Sequence, residues 1–211
     1  MSDRHGLSEE RLLAFAAGAL SPPEAVVVNA WLSFRPEEAA FVHILQVMGG
    51  DLLETEPSVP MAPHALDQAL ARIETRTRPE PVRVLNDMPE LPDCLRGYPL
   101  GPWRWLGPGV RVRDVGAPRD GACRVILLKI DRGRKTPRHT HGGVELTCVL
   151  SGAYATETGR FEVGDLEEAD HEVLHQPRVV SEEPCLCVAA LDGQIVLDGW
   201  LGRWLQPLVR L

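Results

Sequence analysis

Between residues 8 and 48 the apolar positions recur at helical spacing. Leu12, Leu13, Ala16 and Ala17 mark a short first helix, with Gly18 as its stop. The run SPPEAVVVNAWL begins with Ser21 as N-cap, Pro22 at the first helical position and Glu24 three residues after the cap. That is a capping box, and it predicts a second helix ending near Phe34. A third starts at Pro36, carries Glu37 and Glu38 where the helix dipole favours anions, and is expected to stop at Gly49-Gly50. After the Pro-rich break ETEPSVPMAP, the residues Leu66, Ala69, Leu70 and Ile73 form one stripe of a fourth helix, which must bury that stripe on something. Residues 77–92 then hold Pro79, Pro81, Pro89 and Pro92 and little apolar periodicity. Beyond Trp103 short apolar runs, CRVILLKI, ELTCVLSGAY and CLCVAAL, are separated by Gly, Pro and Asp turns. The pattern predicts a multidomain α plus all-β chain: a small helical bundle over 1–78, a linker over 79–92 and a β-barrel domain over 93–211.

Length and charge narrow the partners. A chain of 211 residues can form two small domains, each burying a core without covalent staples. The net charge of -8 argues against direct nucleic-acid contact, which needs Lys and Arg clustered on one face. No run approaches the roughly 18 apolar residues of a membrane span, no stretch reads as a signal peptide, and the five cysteines are an odd number. A reducing cytoplasm is the expected location, with proteins or small molecules as partners.

The strongest chemical signal is GRKTPRHTHGGVELTCVLSG, which sets Gly133, His139, His141, Glu145 and Gly152 at the spacing G-x5-H-x-H-x3-E-x6-G. Side chains two apart on a strand share a face, so His139 and His141 point the same way, and Glu145 keeps that parity if Gly142-Gly143 holds register. His175, expected on a strand reached through the Gly164-Asp165 turn, supplies a third imidazole. Four ionisable groups converging in a core are costly unless a cation compensates them. Three histidines and a glutamate suit one divalent ion, zinc first, with iron, nickel, manganese or copper also compatible. The spacing resembles the two motifs of the cupin barrels, a jelly-roll family. The first motif is complete, while the second departs from the family at Asp170, Glu172 and Val179. His171 lies in an acidic loop and reads as exposed. Cys185 and Cys187 share one strand face, where they could join the site, respond to oxidants, or act as small buried hydrophobes.

The helical half, the H-x-H-x3-E motif, FEVGD, the later His, C-x-C and a closing QP together resemble the ChrR-type anti-sigma factors, as do LLAFAAGALS and MGGDLLE. The resemblance implies an N-terminal domain that holds an extracytoplasmic-function (ECF) sigma factor away from RNA polymerase. It also implies a cupin that promotes release under oxidative stress, and no enzyme activity. The family's helical domain carries a zinc site, and the matching positions here are Trp31, Arg35 and Glu38, with His5 alone retained. A lone histidine cannot hold a structural zinc. The helices are therefore expected to be metal-free and held by packing, with Trp31 filling the metal's volume and Arg35 pairing with a nearby carboxylate such as Glu38. Two other readings stand beside this one. The first is a dioxygenase-like cupin enzyme with a helical oligomerisation domain, and the second is a metal-binding module without catalysis. The apolar helix surface would equally serve a homodimer.

Overall fold

The computed structural model describes residues 6–75 and 86–198. Four helices open the chain: α1 (Glu9–Ala16), α2 (Pro22–Leu32), α3 (Pro36–Thr55) and α4 (Ala65–Thr75). Ser8 caps α1 by accepting from the backbone N–H of Arg11. The capping box of α2 is closed in both directions, with Ser21 Oγ accepting from Glu24 N and Glu24 Oε2 accepting from Ser21 N at 3.0 Å. The expected stop at Gly49-Gly50 is corrected: α3 runs through both glycines to Thr55. Each glycine costs a helix only about 1 kcal/mol, and neither adopts the left-handed conformation that ends a helix. Good helix formers on both sides carry the hydrogen-bond ladder across.

Helix α2 is buried along most of its length, at Pro23, Val26, Val27, Val28, Ala30 and Trp31. Its apolar residues run nearly all round the helix, and it needs two covers. One is provided by α3, and the other by the strands of the barrel. By contrast α3 buries only Val42, leaving Phe41, Ile44, Val47, Met48, Leu52 and Leu53 exposed, and α4 exposes Leu66, Leu70 and Ile73. The stripe predicted on the fourth helix is present, and it faces solvent.

The β half contains β1 (Arg104–Gly107), β2 (Val110–Asp114), β3 (Arg124–Ile130), β4 (His139–His141), β5 (Glu145–Ser151), β6 (Ala153–Ala155), β7 (Arg160–Glu162), β8 (Leu166–Ala169), β9 (Arg178–Val179), β10 (Cys185–Leu191) and β11 (Ile195–Leu197). They pair antiparallel in three sheets, ordered β1-β2-β3-β10-β5-β8, β11-β4 and β7-β6-β9. The six-stranded sheet is covered on both faces. On β10, Leu186, Val188 and Ala190 join the helices in one apolar cluster, while Cys185, Cys187, Ala189 and Leu191 face the barrel interior. Strand β3 divides the same way, with Val125 and Leu127 outward and Ile126 and Ile130 inward. Burial on both faces is why CRVILLKI and CLCVAAL read as continuous apolar runs with no polar alternation.

The described end of the proposed linker, 86–92, is packed. Met88 and Leu91 are buried in the cluster that α2 shares with the barrel, followed by the one-turn helix α5 (Asp93–Arg96) with Leu95 buried. Asp87 bridges to the buried Arg113 at 3.0 Å. Residues 79–85 lie outside the described residues.

Candidate metal centre

Strand β4 is three residues long, and its pleat turns His139 and His141 inward, both at 5% exposure or less. It is flanked by β11 on one side and by an isolated bridge on the other, where His139 N donates to His175 O at 3.1 Å and His175 N to His139 O at 3.0 Å. His175 therefore enters from the segment between β8 and β9, outside the strand on which it was expected. The turn from β4 to β5 passes close to Asp192, since a Cβ on Gly143 would sit 2.6 Å from the Asp192 carbonyl oxygen. That close approach sets where β5, and with it Glu145, starts.

Each imidazole presents its Nδ1 to an oxygen: His139 to the Pro137 carbonyl at 2.8 Å, His141 to Glu145 Oε2 at 3.1 Å, and His175 to Glu167 Oε1 at 3.3 Å. With Nδ1 assigned as the donor in each ring, the three Nε2 atoms are left facing one another, His141 to His175 at 3.0 Å and His139 to His175 at 3.2 Å. Outer oxygen partners that orient imidazoles in this way are a usual feature of metal-ligating histidines. The donor set fits a divalent ion. Glu145 is placed differently from the three. Its buried carboxylate lies on His141 Nδ1 and accepts from Thr147 Oγ1 at 2.6 Å, so it borders the converging nitrogens without joining them.

Burial lowers His139 and drives His141 down to about 4, and the neighbouring His175 adds to the latter. Both rings are thus neutral and able to ligate at neutral pH. For His175, burial pulls downward but the hydrogen bond and charge of Glu167 outweigh it and leave it raised. Burial also raises Glu145. The residue that sequence reasoning missed is Glu167. It sits inward on β8, is 6% exposed, and holds both His175 Nδ1 and the Tyr154 hydroxyl, the latter at 2.7 Å. Its signal in the sequence is a carboxylate at the inward parity of LEEA.

The site opens on a cavity of about 850 Å³ lined by His139, Glu145, Tyr154, Glu167, Cys187 and apolar side chains of β1, β2 and β3. Cys185 and Cys187 lie together, Sγ to Sγ 3.7 Å, both buried, and stand outside the group of three histidines. The hydrogen bond from Cys185 and burial hold Cys187 well above its ordinary value, so it is a thiol at neutral pH. Burial likewise pushes Cys148 up to about 12. Cys123 is buried, Cys94 and His171 are exposed.

Of the N-terminal positions, Trp31 is buried at 2% exposure and packs against Gly6. Its Nε1 has no hydrogen-bond partner among the described residues. Arg35 does pair with a carboxylate, but the partner is Asp165 of the barrel and not Glu38. Arg35, in the junction between α2 and α3, clamps the barrel turn between β7 and β8, donating from Nε to the Gly164 carbonyl at 2.7 Å and from Nη2 to Asp165 Oδ1. That turn offers a carbonyl and a carboxylate together, matching the two-pronged geometry of a guanidinium. Arg11 makes a second clamp, binding Glu24 at 2.9 Å and Glu168 of β8 at 2.7 Å. His5 lies outside the described residues.

Helices mounted on a jelly-roll barrel, with three inward histidines at one end of its cavity, define a cupin carrying a helical extension. Comparison with known proteins makes this specific. Residues 100–194 match the family described as the ChrR cupin-like domain. Over the whole of both chains the protein is 36% identical to the anti-sigma-E factor ChrR of Cereibacter sphaeroides. The crystal structure of Rhodobacter sphaeroides SigE in complex with the anti-sigma ChrR matches at a TM-score of 0.70 and 36% identity, covering 90% of this chain and 99% of that one. The chain belongs to the ChrR family of anti-sigma factors.

Proposed function

We propose that this protein sequesters an ECF sigma factor through the apolar faces of α3 and α4, and that its barrel holds one divalent ion and acts as the sensing half. The observation that carries the first part is the division of labour among the helices. Helix α2 spends its apolar surface on the barrel, while α3 and α4 keep nine large apolar residues exposed, from Phe41 to Ile73. Patches of that kind mark protein-binding surfaces, and the ChrR relative was crystallised with SigE. No described helix is long and apolar enough to cross a membrane, and the cytoplasm is the compartment where a sigma factor would be met.

The ion is held, on this reading, by Nε2 of His139, His141 and His175, with Glu145 as fourth ligand after its carboxylate turns from His141 Nδ1. Zinc is the first expectation, ahead of iron, nickel or manganese. Such an ion supplies a Lewis-acid centre and a fixed charge. Glu167 orients His175, the Pro137 carbonyl orients His139, and the Cys185–Cys187 pair borders the same interior as a group that oxidation could change. Domains split at 78 and 93, with the helices metal-free, complete the proposal. The apolar cavity beside the histidines favours the second reading, a dioxygenase-like cupin enzyme. That reading needs a proton donor or acceptor free to meet a substrate, and the inward carboxylates Glu145 and Glu167 are both engaged with histidines.

The test is size-exclusion chromatography of the full chain with ECF sigma factors from its source, with and without chelator. A one-to-one complex that survives chelation and is lost in Ile44→Asp and Leu52→Asp is expected. A stable homodimer that ignores every sigma factor would overturn the proposal.

A further inference from the structure

We infer that the barrel cavity binds an uncharged, largely apolar small molecule carrying one hydrogen-bonding oxygen. Eight-stranded and similar small barrels are ordinarily filled by their own side chains. This one keeps about 850 Å³ open, within the range of built ligand pockets, which pair apolar walls with a few placed polar groups. Leu106, Val110, Ile126, Leu128, Ile130 and Leu191 form the apolar walls. Among the polar lining groups, Thr136 is the one left over. It is 7% exposed, it lines the cavity, and its buried Oγ1 has no hydrogen-bond partner among the described residues. An orphaned buried hydroxyl costs free energy until something pairs with it, and an oxygen on a ligand would do so.

Charge decides the rest. Glu145 and Glu167 both line the cavity, and with a divalent ion on the histidines their two carboxylates balance its charge, while Lys135 and Arg138 stay exposed to solvent at its rim. A charged ligand of either sign entering beside that balanced group would be desolvated with no free opposite charge to meet it, since both carboxylates are committed to the histidine cluster. An uncharged molecule meets none of these penalties. Trp105 lines the cavity yet is 71% exposed, so it stands at the mouth and reports on what enters. The inference deepens the reading of the barrel as the sensing half. It is tested without a sigma factor, so its failure and a failure of sigma capture are separate results.

The experiment titrates the full chain, as purified, with the uncharged fluorophore N-phenyl-1-naphthylamine, following both its emission and the quenching of Trp105, with Trp105→Phe as the control for the second signal. Saturable one-to-one binding is expected, displaced by 2-decanone but at least about tenfold less well by decanoate or decylamine. Thr136→Val should weaken 2-decanone about fivefold, the loss of one net hydrogen bond, and leave the fluorophore unaffected. Filling the cavity with Ala189→Phe, or with Leu128→Phe should the first fail to fold, should abolish binding. Fluorophore binding that persists in a folded cavity-filling variant would place it elsewhere and overturn the inference. Equal displacement by the charged amphiphiles would overturn the uncharged class, and a Thr136→Val variant that binds 2-decanone normally would remove the proposed anchor.

Discussion

Replacing Arg35 with Met removes the clamp that fastens the α2–α3 junction to the barrel, in a position where the family resemblance implies a zinc ligand. Arg35 makes two charge-assisted contacts, to the Gly164 carbonyl and to Asp165, with the paired side chains 23% and 19% exposed. Hydrogen bonds to charged groups contribute about 1.5–3 kcal/mol each when well buried, and partial exposure reduces that for the pair. Asp165 keeps one partner in the variant, the backbone N–H of Glu162 at 2.7 Å, so it is not left bare. A loss of about 2 kcal/mol follows, or a fall in Tm of about 4–8 °C for a chain of this size. Urea denaturation followed by circular dichroism would measure it, in a cycle with Asp165→Asn and the double variant. The singles should be strongly non-additive, with a coupling of about 1–2 kcal/mol. Additive effects, or an Arg35→Met variant as stable as the parent, would show that packing alone mounts the helices.

Elemental analysis of the purified chain should give one divalent ion, falling to background in the variant carrying both His139→Ala and His141→Ala, and unchanged stoichiometry in that variant would refute the ligand assignment. Glu167→Gln should lower metal affinity about 10–100-fold, because it weakens the acceptor that orients His175 without touching the ion; competition with a chromogenic chelator reads this directly. In the metal-free protein, His141 should titrate near 4 against an ordinary 6.5, visible in the imidazole carbon shifts. The unfolded chain then binds that proton first, so His141 withdraws about 3 kcal/mol of stability as pH falls from about 6.5 to about 4. A midpoint close to 6.5 would mean that the ring is solvated.

The start of α2 was legible because capping is local: Ser21 and Glu24 act within three residues of each other. Helix α3 outran its expected stop because a glycine pair lowers propensity without supplying a terminating conformation. The inward pair His139 and His141 followed from strand parity, and His175 from its place in the motif. What no local rule contains is which acceptor each Nδ1 finds. Glu145 turned toward His141, and Glu167 was passed over because inward parity on a four-residue strand has little statistical weight. The contact of Arg35 with Asp165 spans 130 residues. Glu38, three residues away, was the nearer guess, and tertiary packing made it the poorer one. The exposed stripe on α4 was visible as periodicity, though periodicity alone could not say whether a neighbouring helix would cover it.

Run-off transcription shows whether this chain holds a sigma factor away from RNA polymerase. Core polymerase, an ECF sigma factor from the same source and its promoter are combined with increasing amounts of the full chain. Transcript should fall to background near one equivalent, and the Ile44→Asp and Leu52→Asp variants should leave it largely intact. Undiminished transcription at a large excess of the folded parent protein, for every such sigma factor, would contradict the account.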